Sequence, residues 1–173
     1  MSKLVAPHGG KGLVCALLEG AEREAELKKA AGLKQIEITD RAKGDLIMLG
    51  IGGFSPLTGF MNKADWKGVC ENFQMADGTF WPVPITLDVT AEDAAGIKVG
   101  DEIALVGKKG TTYATMKVEE KYEMTDADKR WECEKVFMGE GEESVDGKFW
   151  EIAPKDHPGV IMVMAQKDVN LAG

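Results

Sequence analysis

The most constraining feature of the sequence is a ten-residue stretch that mixes backbone-breaking residues with large apolar ones. It reads Gly52-Gly53-Phe54-Ser55-Pro56-Leu57-Thr58-Gly59-Phe60-Met61. Three glycines, a proline and two hydroxyl residues interrupt regular secondary structure, whereas two phenylalanines, a leucine and a methionine require burial. Neither an exposed loop nor a regular strand fits this combination. The stretch therefore predicts a shaped turn that packs against its own domain or against a neighbouring one.

Two predicted helices flank this stretch, which makes it a junction. Before it, Thr39 or Asp40 can cap a helix over residues 41–49, because both residue types accept a hydrogen bond from the first helical turn. After it, Asn62 can cap a helix over residues 63–73. Four apolar residues of this second helix have the i, i+3, i+4, i+7 spacing of one buried face: Trp66, Val69, Cys70 and Phe73.

The remaining patterns predict an α+β fold. A helix is expected over residues 12–31, where Leu13, Val14, Leu17 and Leu18 form one stripe and Gly20 interrupts. Another is expected over residues 125–138, behind a Thr125 to Asp128 capping box. Strands are expected at five places: residues 35–38, 85–89, 99–106, 111–118 and 159–165. The two strands between residues 99 and 118 form the clearest predicted hairpin. The glycine-rich, acidic sequence of residues 139–149 predicts a loop.

Composition excludes several classes of protein. The net charge is −8, and residues 119–156 hold 13 acidic against 6 basic side chains, whereas a nucleic-acid-binding protein normally shows a clustered basic face. No apolar run approaches the roughly 20 residues that span a bilayer, and the N-terminus lacks the apolar core of a signal peptide. We therefore expect a cytoplasmic protein that binds neither nucleic acid nor membrane.

Catalytic and metal-binding patterns are scarce. The three cysteines, Cys15, Cys70 and Cys133, are widely spaced and form no CxxC pair, so we interpret them as small buried apolar residues. Ser55 and Thr58 have no base nearby in the sequence, and capping or turn hydrogen bonds explain them better than nucleophilic catalysis. His157 precedes a predicted strand. A histidine that bonds the backbone of a turn is a simpler interpretation of this residue than a general base.

Four segments, taken in order, resemble the N-terminal domain of ATP sulfurylase (sulfate adenylyltransferase). They are Leu4-Val5-Ala6-Pro7-His8-Gly9-Gly10, the stretch from Gly53 to Met61, the segment from Ala76 to Val89, and Asp156-His157-Pro158-Gly159-Val160. Each segment is moderately specific, and their order and spacing match that family across nearly the whole chain.

This resemblance implies a single PUA-like domain over residues 1–173, a small mixed β pseudo-barrel decorated with helices. In that family a C-terminal nucleotidyltransferase domain follows, and the enzyme converts ATP and sulfate to adenosine 5′-phosphosulfate and pyrophosphate. The family's QxRN motif does not occur here, since Gln35, Gln74 and Gln166 all lack the Arg-Asn that should follow. We therefore assign no catalytic, cofactor-binding or metal-binding residue to this chain, and Mg-ATP is expected only as a substrate of the full enzyme.

The resemblance also assigns a role to the junction and suggests partners. We predict that eight residues meet the catalytic domain or the barrel wall: Phe54, Ser55, Pro56, Leu57, Thr58, Gly59, Phe60 and Met61. The expected partners are that C-terminal domain, ATP and sulfate in the full enzyme, and further copies of the chain in a homo-oligomer. Two alternatives stay open: a PUA-like module that binds RNA or a protein, and a structural domain with no enzymatic role.

Overall fold

The computed structural model describes residues 5–138 and the backbone of residues 160–165. The predicted loop at residues 139–149, together with His157, lies outside this part of the chain.

The described residues contain five α-helices and five strands. The helices are α1 (Gly20–Ala30), α2 (Asp40–Gly50), α3 (Lys63–Asn72), α4 (Ala91–Ala95) and α5 (Asp126–Cys133). The strands are β1 (Lys34–Glu37), β2 (Leu87–Val89), β3 (Glu102–Val106), β4 (Thr112–Glu123) and β5 (Val160–Ala165). A short 3-10 turn covers His8–Gly10, and a π-helical turn over Glu134–Met138 extends α5. These elements confirm the predicted α+β class.

The strands form one mixed sheet in the order β1-β3-β4-β5-β2. The predicted hairpin of β3 and β4 is confirmed as an antiparallel pair, with a register shift near its turn, between Leu105 and Val106. β1 pairs with β3 in parallel, whereas β5 pairs antiparallel with both β4 and β2. The order places β1 and β2 at the two ends of the sheet, so closure into a pseudo-barrel stays a prediction.

Side-chain caps begin four of the helices. Thr39, Asn62, Thr90 and Thr125 each accept a hydrogen bond from the backbone amide three residues later, which satisfies an amide that the helix itself leaves without a partner. Thr125 and Asp128 form the predicted capping box, with bonds in both directions. The short helix α4 was not predicted from the sequence.

The segment at residues 12–19 is neither helical nor part of the sheet, so the predicted helix over this part of the chain is wrong. Its side chains alternate between exposed and half-buried, which is the two-residue period of an extended chain. The amides of Ala16 and Leu17 donate to the carbonyl of Gly50 at 2.9 and 3.1 Å. The segment, which we call the N-terminal arm, thus obtains its hydrogen bonds from the end of α2 instead of from its own backbone.

The core fills the space between the sheet and the helices α2 and α3. Its largest fully buried side chains are Ile36, Leu46, Leu49, Met61, Val69, Leu87, Ile97, Ile103, Leu105 and Met124. Phe73, which the helical spacing placed on a buried face, is exposed instead. Phe73 ends α3 in a left-handed backbone conformation (φ 54°), which turns its side chain away from the buried face.

The cysteines of the described chain are all free thiols, as the spacing predicts. Cys70 is buried and Cys133 is half-buried, but Cys15 is exposed, so the interpretation of all three as buried apolar residues fails at Cys15. Within residues 5–138 and 160–165, no helix has the length and apolar character needed to cross a membrane.

Candidate functional site

The junction between α2 and α3 folds back into the domain that carries it. Six of its eight predicted interface residues are buried here: Ser55, Pro56, Leu57, Gly59, Phe60 and Met61. Phe54 is half-buried and Thr58 is exposed. The peptide bond between Ser55 and Pro56 is cis, and the amide of Met61 donates to the carbonyl of Ile85 at 2.8 Å. Contact with a further domain stays a prediction, and Thr58 and Phe54 are the side chains that could make it.

Ser55 uses both polar functions of its hydroxyl group within the fold. Its oxygen accepts a hydrogen bond from the amide of Val14 at 2.9 Å, and the hydroxyl donates to the carbonyl of Gly52 at 2.7 Å. The first bond holds the N-terminal arm against the junction, and the second closes the turn after α2. This arrangement matches the turn role predicted for Ser55 and leaves it unsuited to nucleophilic attack.

The N-terminal turn packs against the same junction. A Cβ atom on Gly9 would lie 2.8 Å from Cγ of Pro56, and Gly9 has φ +73°, so both space and backbone conformation require glycine. The ring Nε2 of His8 lies 2.6 Å from the carbonyl oxygen of Phe80. The rings of Phe54 and Trp81 meet edge to face, with centroids 5.8 Å apart. Three of the four segments that carry the family resemblance are therefore in contact.

An ion pair between Lys11 and Asp77 joins the same segments. Hydrogen bonds from Lys11 and from Thr79 hold the pKa of Asp77 well below its usual range. Both side chains are exposed, so this ion pair links two loops at the surface and contributes little to stability.

Among the surface cavities of the described residues, two are lined by charged side chains. The first, about 220 Å³, is lined by the junction from Leu57 to Asn62 and by Asp65, Glu119 and Glu120. The second, about 300 Å³, lies between the start of α2 and the β3–β4 turn and contains Lys43, Lys108 and Lys109. The Lys43 ammonium lies 4.6 Å from the centre of the Tyr113 ring, a cation–π contact. The first cavity is acidic, and the second carries positive charge in a chain whose net charge is negative.

A second buried cluster joins α3 to α5, and the sequence patterns did not predict it. The indole Nε1 of Trp66 donates to Oε2 of Glu132 at 2.7 Å, and the Trp66 and Trp131 rings meet at 5.5 Å. Burial raises the pKa of the Glu132 carboxyl, while the bond from Trp66 acts in the opposite direction. Burial, with the nearby Glu132 charge, also raises the pKa of the Cys70 thiol to about 12, so this thiol stays protonated and unreactive near pH 7.

The chemistry that these arrangements allow is limited. Across the described ranges, no group of three or more His, Cys, Asp or Glu side chains is placed to hold a metal ion. The buried hydroxyl of Ser55 bonds backbone atoms. What the junction does is connect three segments of the fold around a cis proline.

Comparison with known proteins gives the family. A family model described as a PUA-like domain matches residues 5–173. Sulfate adenylyltransferases from Desulfovibrio desulfuricans and Desulfatibacillum aliphaticivorans are 72% and 69% identical over the whole chain, which covers 40% and 41% of their lengths. A solved hexameric APS kinase from Thiobacillus denitrificans is 25% identical with a TM-score of 0.68, over 98% of this chain and 28% of that one. The chain thus spans about two-fifths of the curated relatives it matches, and it belongs to the PUA-like domain family.

Proposed function

We propose that this chain is the N-terminal, PUA-like domain of a sulfate adenylyltransferase. The observation that carries the proposal is the 72% identity to a protein of that name over every residue of the chain. The enzyme would convert ATP and sulfate to adenosine 5′-phosphosulfate and pyrophosphate, and the reaction would be reversible. A C-terminal nucleotidyltransferase domain, to which Mg-ATP binds, would complete the enzyme in the cytoplasm.

Within that enzyme, the role we infer for the present residues is structural support. The junction uses its polar groups inside the fold, as Ser55 does with Val14 and Gly52. Its large apolar residues, Phe60 and Met61, belong to the core. A domain built this way positions a neighbouring active site without contacting the reacting atoms. The hexameric state of the APS kinase relative supports a homo-oligomer.

A chimeric enzyme tests the proposal. The 173 residues replace the matched two-fifths of the Desulfovibrio desulfuricans relative, and pyrophosphate release that requires both ATP and sulfate is measured. We expect turnover within about tenfold of the parent, which is about 1.4 kcal/mol in transition-state stabilisation. An unrelated domain of similar length in the same position is the matched control and should leave no activity. A folded chimera with the activity of that control would contradict the proposal.

A second candidate function is an RNA-binding module, and one observation favours it. Lys43, Lys108 and Lys109 line one cavity together with Asp40, whose carboxylate lies 3.7 Å from the Lys108 ammonium, and lysines bind phosphate through direct charge contacts. Filter binding with a structured RNA at low salt tests it. Binding that weakens with salt and falls further in a Lys108→Glu, Lys109→Glu variant would support this candidate, whereas the acidic net charge leads us to expect no retention of RNA.

A further inference from the structure

The dipeptide Asp77-Gly78 lies at the exposed tip of a small hairpin. The two sides of this hairpin bridge in antiparallel fashion at Gln74 and Phe80, and Asp77 and Gly78 are both exposed. Glycine has no Cβ atom to shield its amide nitrogen. The aspartate before a glycine is therefore the one most open to attack by the following backbone amide.

That attack is a ring closure followed by hydrolysis. The amide nitrogen of Gly78 bonds to Cγ of Asp77, the bond from Cγ to the carboxyl OH breaks, and the hydroxyl group leaves as water with the proton of the amide. Water then opens the succinimide ring at either carbonyl, which restores aspartate or gives isoaspartate. The closure starts from the protonated carboxyl, because a carboxylate offers no good leaving group.

The fold binds each atom that this closure needs. Oδ1 of Asp77 accepts a hydrogen bond from the amide of Thr79 at 2.9 Å, and Oδ2 accepts one from the ammonium group of Lys11. The amide of Gly78 donates to the carbonyl of Met75 at 2.8 Å. The bonds from Lys11 and Thr79 also hold the pKa of the Asp77 carboxyl well below its usual range, so the reactive protonated form is scarce.

We propose that Asp77-Gly78 is a site of isoaspartate formation and that Lys11 protects it. The ion pair of Lys11 and Asp77 adds little to the stability of the fold, because both side chains are exposed. The reactivity of the carboxyl depends instead on its protonation and on the position of its oxygens, and Lys11 acts on both. The N-terminal turn thus keeps the hairpin tip unmodified.

Isoaspartate would change the contacts between the two loops. It carries an extra methylene group in the main chain, so the amide of Thr79 and the carboxylate would no longer meet as they do now. The bond to Lys11 would be lost with that geometry. This chemistry needs only water, and it is measured without ATP or sulfate, so it is independent of the enzymatic assignment.

Peptide mapping of the whole chain after incubation near pH 6 tests the protection. Isoaspartate separates from aspartate by chromatography at the same mass, and the succinimide is seen by the loss of one water. We expect Lys11→Ala to form isoaspartate at position 77 about tenfold faster than the unmodified chain, which is the effect of one pKa unit on the protonated fraction. Lys11→Arg keeps a cation for the carboxylate and should stay slow.

Two controls separate this protection from a general loosening of the chain. Lys108→Ala removes an exposed lysine that lies 3.7 Å from Asp40, and it should leave the rate at position 77 unchanged. The sequence has a second Asp-Gly pair, Asp146-Gly147, which lies outside the described residues. The same digest reports on it, and Lys11→Ala should not change its rate.

The reference for the unprotected rate is a synthetic peptide of residues 74–80. The unmodified chain should rearrange at position 77 at least about tenfold more slowly than this peptide, again one pKa unit. A chain that rearranges there as fast as the peptide would overturn the proposal. So would a Lys11→Ala variant with the unmodified rate, or one that accelerates both Asp-Gly pairs equally.

Discussion

Ser55 connects the N-terminal arm to the junction through one hydroxyl group. It accepts from the arm at Val14, donates to the α2 turn at Gly52, and precedes the cis peptide bond to Pro56. The residue is 94% buried, so these bonds are made away from competing water. A buried hydrogen bond whose partner is removed costs more than the same bond at the surface. Ser55 therefore sets the position of the arm.

Replacing Ser55 by alanine should lower the free energy of unfolding by about 1–3 kcal/mol, because the Val14 amide and the Gly52 carbonyl each lose a partner. Equilibrium urea denaturation measures this. Thr58→Ala is the matched control, since Thr58 is an exposed hydroxyl residue of the same loop, and it should change stability by less than about 0.5 kcal/mol. Equal effects of the two substitutions would contradict the role assigned to Ser55.

Residue patterns within a few positions predicted the local features well. Asn62 as a cap and the Thr125 to Asp128 box are decided by atoms three residues apart. The sequence therefore contains the whole interaction. Cys15 shows the limit, because its exposure depends on the arm lying against residues 50–52, which are more than thirty positions away.

At the scale of elements, the N-terminal arm shows how one apolar pattern can fit two structures. Leu13, Val14, Leu17 and Leu18 match a helical stripe, but the half-buried side chains are Val14, Ala16 and Leu18, at a spacing of two. Short apolar segments often allow both interpretations. The choice was made by hydrogen bonds to Gly50 and Ser55, which no window of the sequence contains.

The junction itself is a core element, so Phe60 should matter for folding first. Its side chain is 2% exposed within the main core, and its removal leaves a cavity. We expect Phe60→Ala to lower the free energy of unfolding by about 3–5 kcal/mol. Phe80→Ala, at an aromatic residue 57% exposed, is the control and should change it little. In the chimeric enzyme, a large fall in turnover with an unchanged melting temperature would instead place this loop at the active site.

The contact between α3 and α5 should depend on pH through Glu132. Burial raises the pKa of this carboxyl in the folded protein above its unfolded value. The folded state therefore binds the proton more tightly, and the contribution of Glu132 to stability falls as pH rises from near 4 through the folded pKa. Near pH 7, burial of the ionised Glu132 carboxylate therefore lowers the stability of the folded protein.

The substitution Glu132→Gln removes this cost and keeps an oxygen that accepts from Trp66 Nε1. We expect the variant to gain in melting temperature relative to the unmodified chain as pH rises from 4 to 7, with the difference vanishing at the acid end. Glu134→Gln, at an exposed position in the next turn, should show no such trend. A Glu132→Gln variant that is less stable at pH 7 than at pH 4, relative to the unmodified chain, would show that the charge is favourable where it lies.

At the scale of the whole molecule, the arrangement of the elements was less predictable than the elements. The β3–β4 hairpin follows from its short turn, but β1 pairs in parallel with residues of β3 that are sixty-nine positions away, and β5 inserts between β4 and β2. Such pairings depend on the assembled core. The family resemblance predicted the PUA-like fold through four separated segments, and the structure shows three of them in contact around the junction.

We propose that this PUA-like domain supports a nucleotide-binding neighbour and does not itself hold the nucleotide. Isothermal titration of Mg-ATP into the 173-residue chain tests it most directly, with the full-length Desulfovibrio desulfuricans relative as the positive control. We expect no saturable heat in the micromolar range. Saturable binding with a micromolar Kd, equivalent to about 8 kcal/mol of binding free energy, would contradict it.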